Sequence, residues 1–247
     1  MIVNKREKGW EIIQQPAHAL AAMEICTQLD LSSFDKSEVS AIMAAIALHD
    51  DQESFYENGS YLSDEGTPLD FTFLPMDAGQ RTEQARRIVK AGFLKSALVG
   101  SLIIEHYLHL YIGQDIEEKM RKALEEGLKK KDKFINNGVV SAECVKRCYS
   151  VMGFCDRLSL TLCKDDTPAM GRKLEIGKLS FLDDLIYLKV EDGKSVLEPW
   201  PFQNESFTLP IEAFYTDQLT FKSDGALEKI LTGSLPEQKI YHFRREQ

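Results

Sequence analysis

An apolar helical run that stops on an imidazole and two carboxylates sets the first condition on any fold for this chain: Ile46-Ala47-Leu48-His49-Asp50-Asp51. Val39, Ile42, Met43 and Ile46 recur at the spacing of one helix face, and continuing that stripe by three and four residues lands on His49 and Asp50. Both side chains are thereby expected to point inward. A desolvated polar group without a partner costs about 2–7 kcal/mol, and an unpaired charge more, so the interior must answer them. A divalent cation satisfies both groups at once. A helix C-terminus explains the same residues differently, since a histidine there meets the helix dipole and an Asp-Asp pair opens a turn. What the rest of the chain brings to this place decides between the two.

With 247 residues the chain is long enough to bury a substantial core. Its 30 basic against 39 acidic residues leave a formal charge of −9, which argues against general binding to nucleic acid or to anionic membranes. No run of about 18 apolar residues occurs, and the N-terminus leads into Glu7 and Lys8 rather than into the apolar stretch of a signal peptide. A cytoplasmic protein is expected, with its oligomeric state open and a homo-oligomer compatible with the composition. Of the five cysteines, Cys144, Cys148, Cys155 and Cys163 share one helical stripe with Met152 and Ser159. Neither a C-x-x-C nor a second close pair is present, so these thiols read as small core hydrophobes in a reducing compartment, not as a zinc or redox centre.

Taken in order, the chain predicts a mainly α protein with a smaller β part, α+β in class, folded as a single domain over 1–247. Residues 1–15 alternate loosely about Lys8-Gly9, as two short strands do. Pro16 opens a helix carrying His18, Ala22, Ile25 and Leu29 on one face. After the helix that ends at His49-Asp50 comes a polar and aromatic loop over 51–79, a lid or a packed surface loop, whose Phe55, Tyr56, Phe71 and Phe73 call for cover. Residues 80–90 put Arg81, Arg86 and Arg87 on a solvated helix face. Residues 93–112 are apolar nearly all round and predict one buried central helix, within which Glu105, His106 and His109 require an explanation. Residues 114–134 read as an exposed charged helix ending in Lys129-Lys130-Lys131, and 140–163 as the cysteine-striped helix with Asp156-Arg157 in its middle. Past Asp165 come strand-like segments: 174–176, a hairpin over 185–197 turning on Asp192-Gly193, 207–209, a short helix over 225–231 and a last strand at 240–243. A helical core over 16–165 is thus expected to carry a β-rich part, 1–15 and 170–247, packed on it, with the C-terminal region antiparallel.

The inward polar candidates are His18, His49-Asp50, His106 and Asp156, each on a different predicted helix. Facing helices of a bundle commonly build metal sites from such residues. Their order, H … HD … D, resembles the signature of the HD superfamily of metal-dependent phosphohydrolases. Five blocks extend the likeness: Gln15-Pro16-Ala17-His18-Ala19, Ala47-Leu48-His49-Asp50, the stretch from Ser101 through His106, Asp156-Arg157-Leu158-Ser159-Leu160, and Pro199-Trp200-Pro201-Phe202. Together they are similar, over nearly the whole chain, to DUF3891, a bacterial family of unknown function. That family continues its His-Asp with a short polar step, Gly and Trp, where this chain has Asp51-Gln52-Glu53-Ser54-Phe55.

The resemblance implies an HD-like helical bundle in which His18, His49, Asp50 and Asp156 bind one divalent metal ion, and in which His106 lines the pocket or binds a second. Mixed imidazole and carboxylate ligands suit Mn, Fe, Ni, Co or Zn better than Mg. Asp50, His106 and Arg157 are the residues expected to act on a phosphorylated small molecule or nucleotide, Arg157 as a phosphate clamp unless it faces a carboxylate or solvent. Trp200, between two prolines, is a rigid corner or a pocket wall. Two alternatives stand beside the hydrolase. One is a non-catalytic ligand-binding or sensor module on the same bundle. The other is a di-iron oxidative enzyme using Glu105, His106 and Glu143, for which the expected pair of E-x-x-H motifs is missing.

Overall fold

The computed structural model describes residues 1–50, 61–74, 78–182 and 184–246. Residues 51–60 and 75–77 of the turn-rich loop, including Phe55, Tyr56 and the departure at 51–55, lie outside the described residues. Helix accounts for about 49% and strand for about 21%, so the α+β expectation holds.

The N-terminal strands β1 (Ile2–Lys5) and β2 (Trp10–Ile13) form a hairpin. Gly9 makes the turn with φ +70, and a Cβ there would meet the Thr216 carbonyl oxygen at 1.8 Å, so no other residue fits. Helix α1 (Gln15–Gln28) follows with Pro16 in its first turn, and buries His18, Ala22 and Ile25. Helix α2 (Lys36–His49) is opened by an Asp35/Glu38 capping box, the Asp35 amide donating to Glu38 Oε2 at 2.8 Å. It buries Ile42, Ile46 and His49. Because α1 and α2 run antiparallel around a short connection, the start of α1 and the end of α2 meet at one end of the pair. Residues 62 and 68 form an isolated bridge and Phe71–Phe73 a single 3-10 turn, in which Phe73 is exposed rather than covered.

The apolar stretch over 93–112 is not one helix. Helix α3 (Ala78–Lys95) runs through its first residues, and Ser96, extended at φ −162, caps α4 (Ala97–Leu110) by accepting from the Val99 amide at 3.0 Å. Local capping outweighs the continuous apolar pattern. The break lets α3 and α4 fold back on each other, Gly100 lying so close under Phe93 that a Cβ would stand 2.2 Å from the ring. Leu94, Leu110 and Ile112, expected inside, are exposed. Helix α5 (Glu118–Asn136) also differs from the fully exposed helix expected, since Met120, Ala123, Leu124 and Gly127 dock on α3 and α4. Helix α6 (Ala142–Cys163), capped by Ser141, packs against α1, α2 and α4, and its stripe Cys148, Met152, Cys155, Ser159 and Cys163 is core, all five cysteines being free thiols.

The C-terminal part adds β3 (Leu174–Lys178), β4 (Leu185–Glu191), β5 (Lys194–Glu198), β6 (Ser206–Thr216), helix α7 (Asp224–Gly233) and β7 (Glu237–Arg244). The strands join the N-terminal hairpin in one seven-stranded sheet of order β1-β2-β6-β7-β5-β4-β3. The antiparallel expectation fails at one seam: β5 and β7 run parallel, paired at Ser195 and Phe243, because β6 and α7 intervene and return the chain in the same direction. Strand alternation then divides the core. Ile13 faces the helices, while Ile12 joins Met1, Tyr61, Phe221, Leu227 and Leu231 in a smaller cluster with α7.

Candidate metal centre

Four helices deliver the polar side chains the sequence placed inward. His18 comes from the first turn of α1, His49 is the last residue of α2 and Asp50 its C-cap, Asp156 lies in the middle of α6, and His106 on α4. His18, His49 and His106 are buried, while the Asp50 and Asp156 side chains keep 22% and 13% exposure. The carboxylate end of the cluster therefore faces the way out.

Hydrogen bonding fixes which ring atoms are free. His49 Nδ1 lies 2.6 Å from the Ile46 carbonyl oxygen, an acceptor only, so Nδ1 carries the proton. Ser159 Oγ gives its hydrogen to the Asp156 carbonyl at 2.9 Å, and therefore accepts from His18 Nδ1 at 2.9 Å. Each imidazole is left with Nε2 turned to the same place. Asp156 Oδ1 stands 3.1 Å from both Nε2 atoms, and Asp50 Oδ2 stands 3.4 Å from both. Ligands at about 2.0–2.2 Å from a shared cation stand about 3.0–3.5 Å from their neighbours around it. The mutually close donors are the Nε2 atoms of His18 and His49 and a carboxylate oxygen of Asp156, with Asp50 Oδ2 beside both imidazoles; each imidazole has its outer hydrogen bond made, the pattern that orients metal-binding histidines. These residues fit a divalent ion.

The electrostatics record the same excess of acceptors. Burial opposes a charge on His49, yet Asp50, Asp156 and the Ile46 carbonyl together raise it to about 9. Asp156, despite its burial, is held well below the usual carboxylate range by His18 and His49. His106, edge-on to His49 with ring centroids 5.1 Å apart, is pushed by burial down to about 4 and stays neutral. Its Nδ1 is enclosed without a hydrogen-bond partner among the described residues.

Beside the cluster opens a cavity of about 590 Å³ between α4, α6 and β3, its wall including His106, Tyr149, Asp156 and Arg157. A larger hollow of about 920 Å³ lies at the opposite end of α1 and α2, around Cys26, Phe34 and Lys36, and touches none of the candidate ligands. The structure thus gathers His18, His49, Asp50, Asp156 and His106. Arg157 is exposed on the cavity wall, one step around α6 from Asp156. His109 is exposed at the same wall. Glu105 is turned to an ion pair with Lys131, and Glu143 is exposed in the first turn of α6, roughly three and a half turns from Asp156. Trp200 is a packed corner, its Nε1 donating to the Asn204 carbonyl at 2.9 Å and its ring 5.0 Å from Phe202.

A second group of metal-type side chains, Glu38, Cys144 and Cys148, is already answered by the protein: Arg147 reaches both Glu38 oxygens at 2.6 Å. Burial also raises both thiols, Cys144 and Cys148. The Ser159 role escaped the sequence reading, although a hydroxyl three residues after Asp156 inside an otherwise apolar stripe marks it. Tyr149 and Lys178 on the cavity wall carry no sequence signal.

No curated protein and no solved structure matches the chain. A family model described as "Protein of unknown function (DUF3891)" matches residues 1–218, a span that holds every candidate ligand and all of the sheet but β7. By that match the chain belongs to the DUF3891 family.

Proposed function

We propose that the protein is an HD-like, metal-dependent phosphohydrolase of the cytoplasm, with one divalent ion held by His18, His49, Asp50 and Asp156. The observation that carries this reading is that the Nε2 atoms of two imidazoles, whose Nδ1 protons are used elsewhere, face carboxylate oxygens of Asp156 and Asp50 at 3.1–3.4 Å. Such an ion, when bound, lowers the pKa of water toward neutrality and offsets charge on a phosphoryl oxygen. Asp50, the more open of the two carboxylates, accepts the proton of the attacking water. His106 lines the cavity as a neutral ring and brings no charge to the substrate. Arg157 meets the phosphate from the open side of the cavity, its positive charge opposing the growing negative charge on the ester. Water and a phosphate ester enter, and an alcohol and inorganic phosphate leave.

Mass-spectrometric metal analysis of the purified protein tests the first half, with about one ion per chain expected in the wild type and none in His49→Ala or Asp50→Ala. A panel of phosphate esters and nucleotides tests the second. One observation favours a sensor instead: a proton on His49 closes the cluster internally, bridging to Asp156 and Asp50. Failure to take up Mn²⁺, Fe²⁺, Co²⁺, Ni²⁺ or Zn²⁺ would establish that second reading over the first.

A further inference from the structure

The rings around the cluster do not stop at the ligands. His18 and His49 have centroids 5.6 Å apart, His49 and His106 5.1 Å, His106 and Tyr149 6.3 Å, and Tyr149 and His109 6.0 Å. They form one series, each ring within contact range of the next, running from the buried centre to an exposed residue at the cavity wall. His106, Tyr149 and His109 all line the cavity, and Leu160, Ile176 and Leu185 supply apolar surface to it. Its volume, about 590 Å³, belongs to sites that enclose a whole organic molecule. A phosphate group alone leaves most of it empty.

Glycine at position 153 is a second, independent mark. It lies inside α6, one turn after Tyr149, and lines the same cavity. Glycine is the least favourable residue but proline in a helix interior, and packing does not demand it here: a Cβ would approach the Tyr149 ring only to 3.7 Å, an ordinary contact. What the missing methyl group leaves is room in the cavity beside the ring.

We infer that the cavity selects phosphate esters whose alcohol part carries a flat aromatic ring, laid on the Tyr149 and His109 rings over Gly153, with the phosphate toward Asp156 and Arg157. This rests on the hydrolase reading for the word ester, and on the ring series and Gly153 for the word aromatic. Lys178 on β3 and Arg157 on α6, both exposed on the cavity wall, add positive charge for an anionic ligand, against Glu175 and Asp166 on the same wall.

Two phosphonates separate flatness from greasiness. Benzylphosphonate and cyclohexylmethylphosphonate share an anionic head and a six-membered ring, but only the first ring is flat and aromatic. Titrated calorimetrically into the full-length protein with Mn²⁺ present, benzylphosphonate is expected to bind about tenfold more tightly. Tyr149→Leu levels the two ligands, and Tyr149→Phe keeps the preference. Gly153→Ala weakens benzylphosphonate while raising the thermal midpoint by about 2–4 °C. Equal binding by the wild type, a preference for the saturated ring, no binding of either, or an equal loss of both in Tyr149→Leu overturns the inference. The wild-type comparison decides it even where the leucine variant does not fold. Hydrolysis of benzyl phosphate is followed separately. A ring preference without turnover removes the hydrolase reading and leaves the aromatic site, whereas turnover without a ring preference does the reverse.

Discussion

Two of the buried ionic clusters among the described residues are built on opposite rules. In the first, Glu11 on β2 is fully buried, and each oxygen meets two donors: Asn4 Nδ2 and Lys239 Nζ, both at 2.9 Å, on Oε1, and Arg6 with the Tyr215 hydroxyl on Oε2. Asp165, paired with Arg6 and Lys239, balances the charge at two against two. In the second, two carboxylates face two imidazoles whose Nδ1 protons are already used elsewhere. The first cluster balances its charges within the chain, and among the described residues only Arg6 Nε in it is enclosed without a hydrogen-bond partner. With His49 neutral the second is short of a positive charge of about two, and that shortfall, more than the presence of histidine, marks it as a candidate ligand site beside a structural network.

The largest expected effect breaks the balanced cluster. Glu11→Ala leaves Arg6 and Lys239 without their buried partner and is expected to cost about 3 kcal/mol, toward the low end for a one-sided break because Arg6 keeps access to water. Urea unfolding measures it. Added Mn²⁺ should still raise the stability of this variant by about 2.7 kcal/mol at a hundredfold excess over Kd, as in the wild type. If the metal response disappears with Glu11, the two clusters are not separate and the comparison fails.

Next comes the outer support of the cluster short of charge. Ser159→Ala removes the acceptor that holds His18 Nδ1–H, and is expected to weaken metal binding about 10- to 100-fold. A competition titration against a chelator reads this. A loss of folding with metal affinity unchanged would show that the hydroxyl serves packing alone.

Much of this was legible in the chain, and the two clusters show why only part of it was. His18, His49 and Asp156 sit on apolar helix faces, so local periodicity turned each inward and their convergence needed only that the helices pack. The Glu11 network left no such trace. Glu11 alternates with Ile12 like any strand residue, and its partners beyond the hairpin, Tyr215 and Lys239, are brought near only by the finished sheet. The parallel seam between β5 and β7 was hidden for the same reason. Ser96 was lost to the opposite error: a strong apolar pattern on both sides concealed a one-residue cap.

Proton uptake gives a smaller, graded test. In the metal-free protein His49 titrates at about 9, above its ordinary 6.5. A raised histidine contributes stability that is fully present below pH 6.5 and lost as pH rises through about 9. A cation must displace that proton, so metal affinity is expected to climb about tenfold per pH unit up to about 9, with close to one proton released per ion at pH 7.5. Calorimetry in buffers of different ionisation enthalpy measures the release. Affinity that does not change between pH 6 and 9 would mean that the ion binds elsewhere.

The smallest effect asks how redundant the balanced cluster is. Tyr215→Phe removes one donor from Glu11 Oε2, at 2.9 Å, and leaves Arg6 on the same oxygen. Because the acceptor keeps a charged partner, the loss should be that of one hydrogen bond, about 1 kcal/mol, well short of the cost of Glu11→Ala. In the other cluster an equally small chemical change, Asp50→Asn, keeps shape and one acceptor oxygen but takes away half of the negative charge that calls for a divalent ion. Its effect on folding should match that of Tyr215→Phe, while its effect on metal binding should be at least tenfold. Unfolding and metal titration of the two variants side by side therefore distinguish redundancy from need: a network with spare donors absorbs the loss of one, and a site short of charge does not.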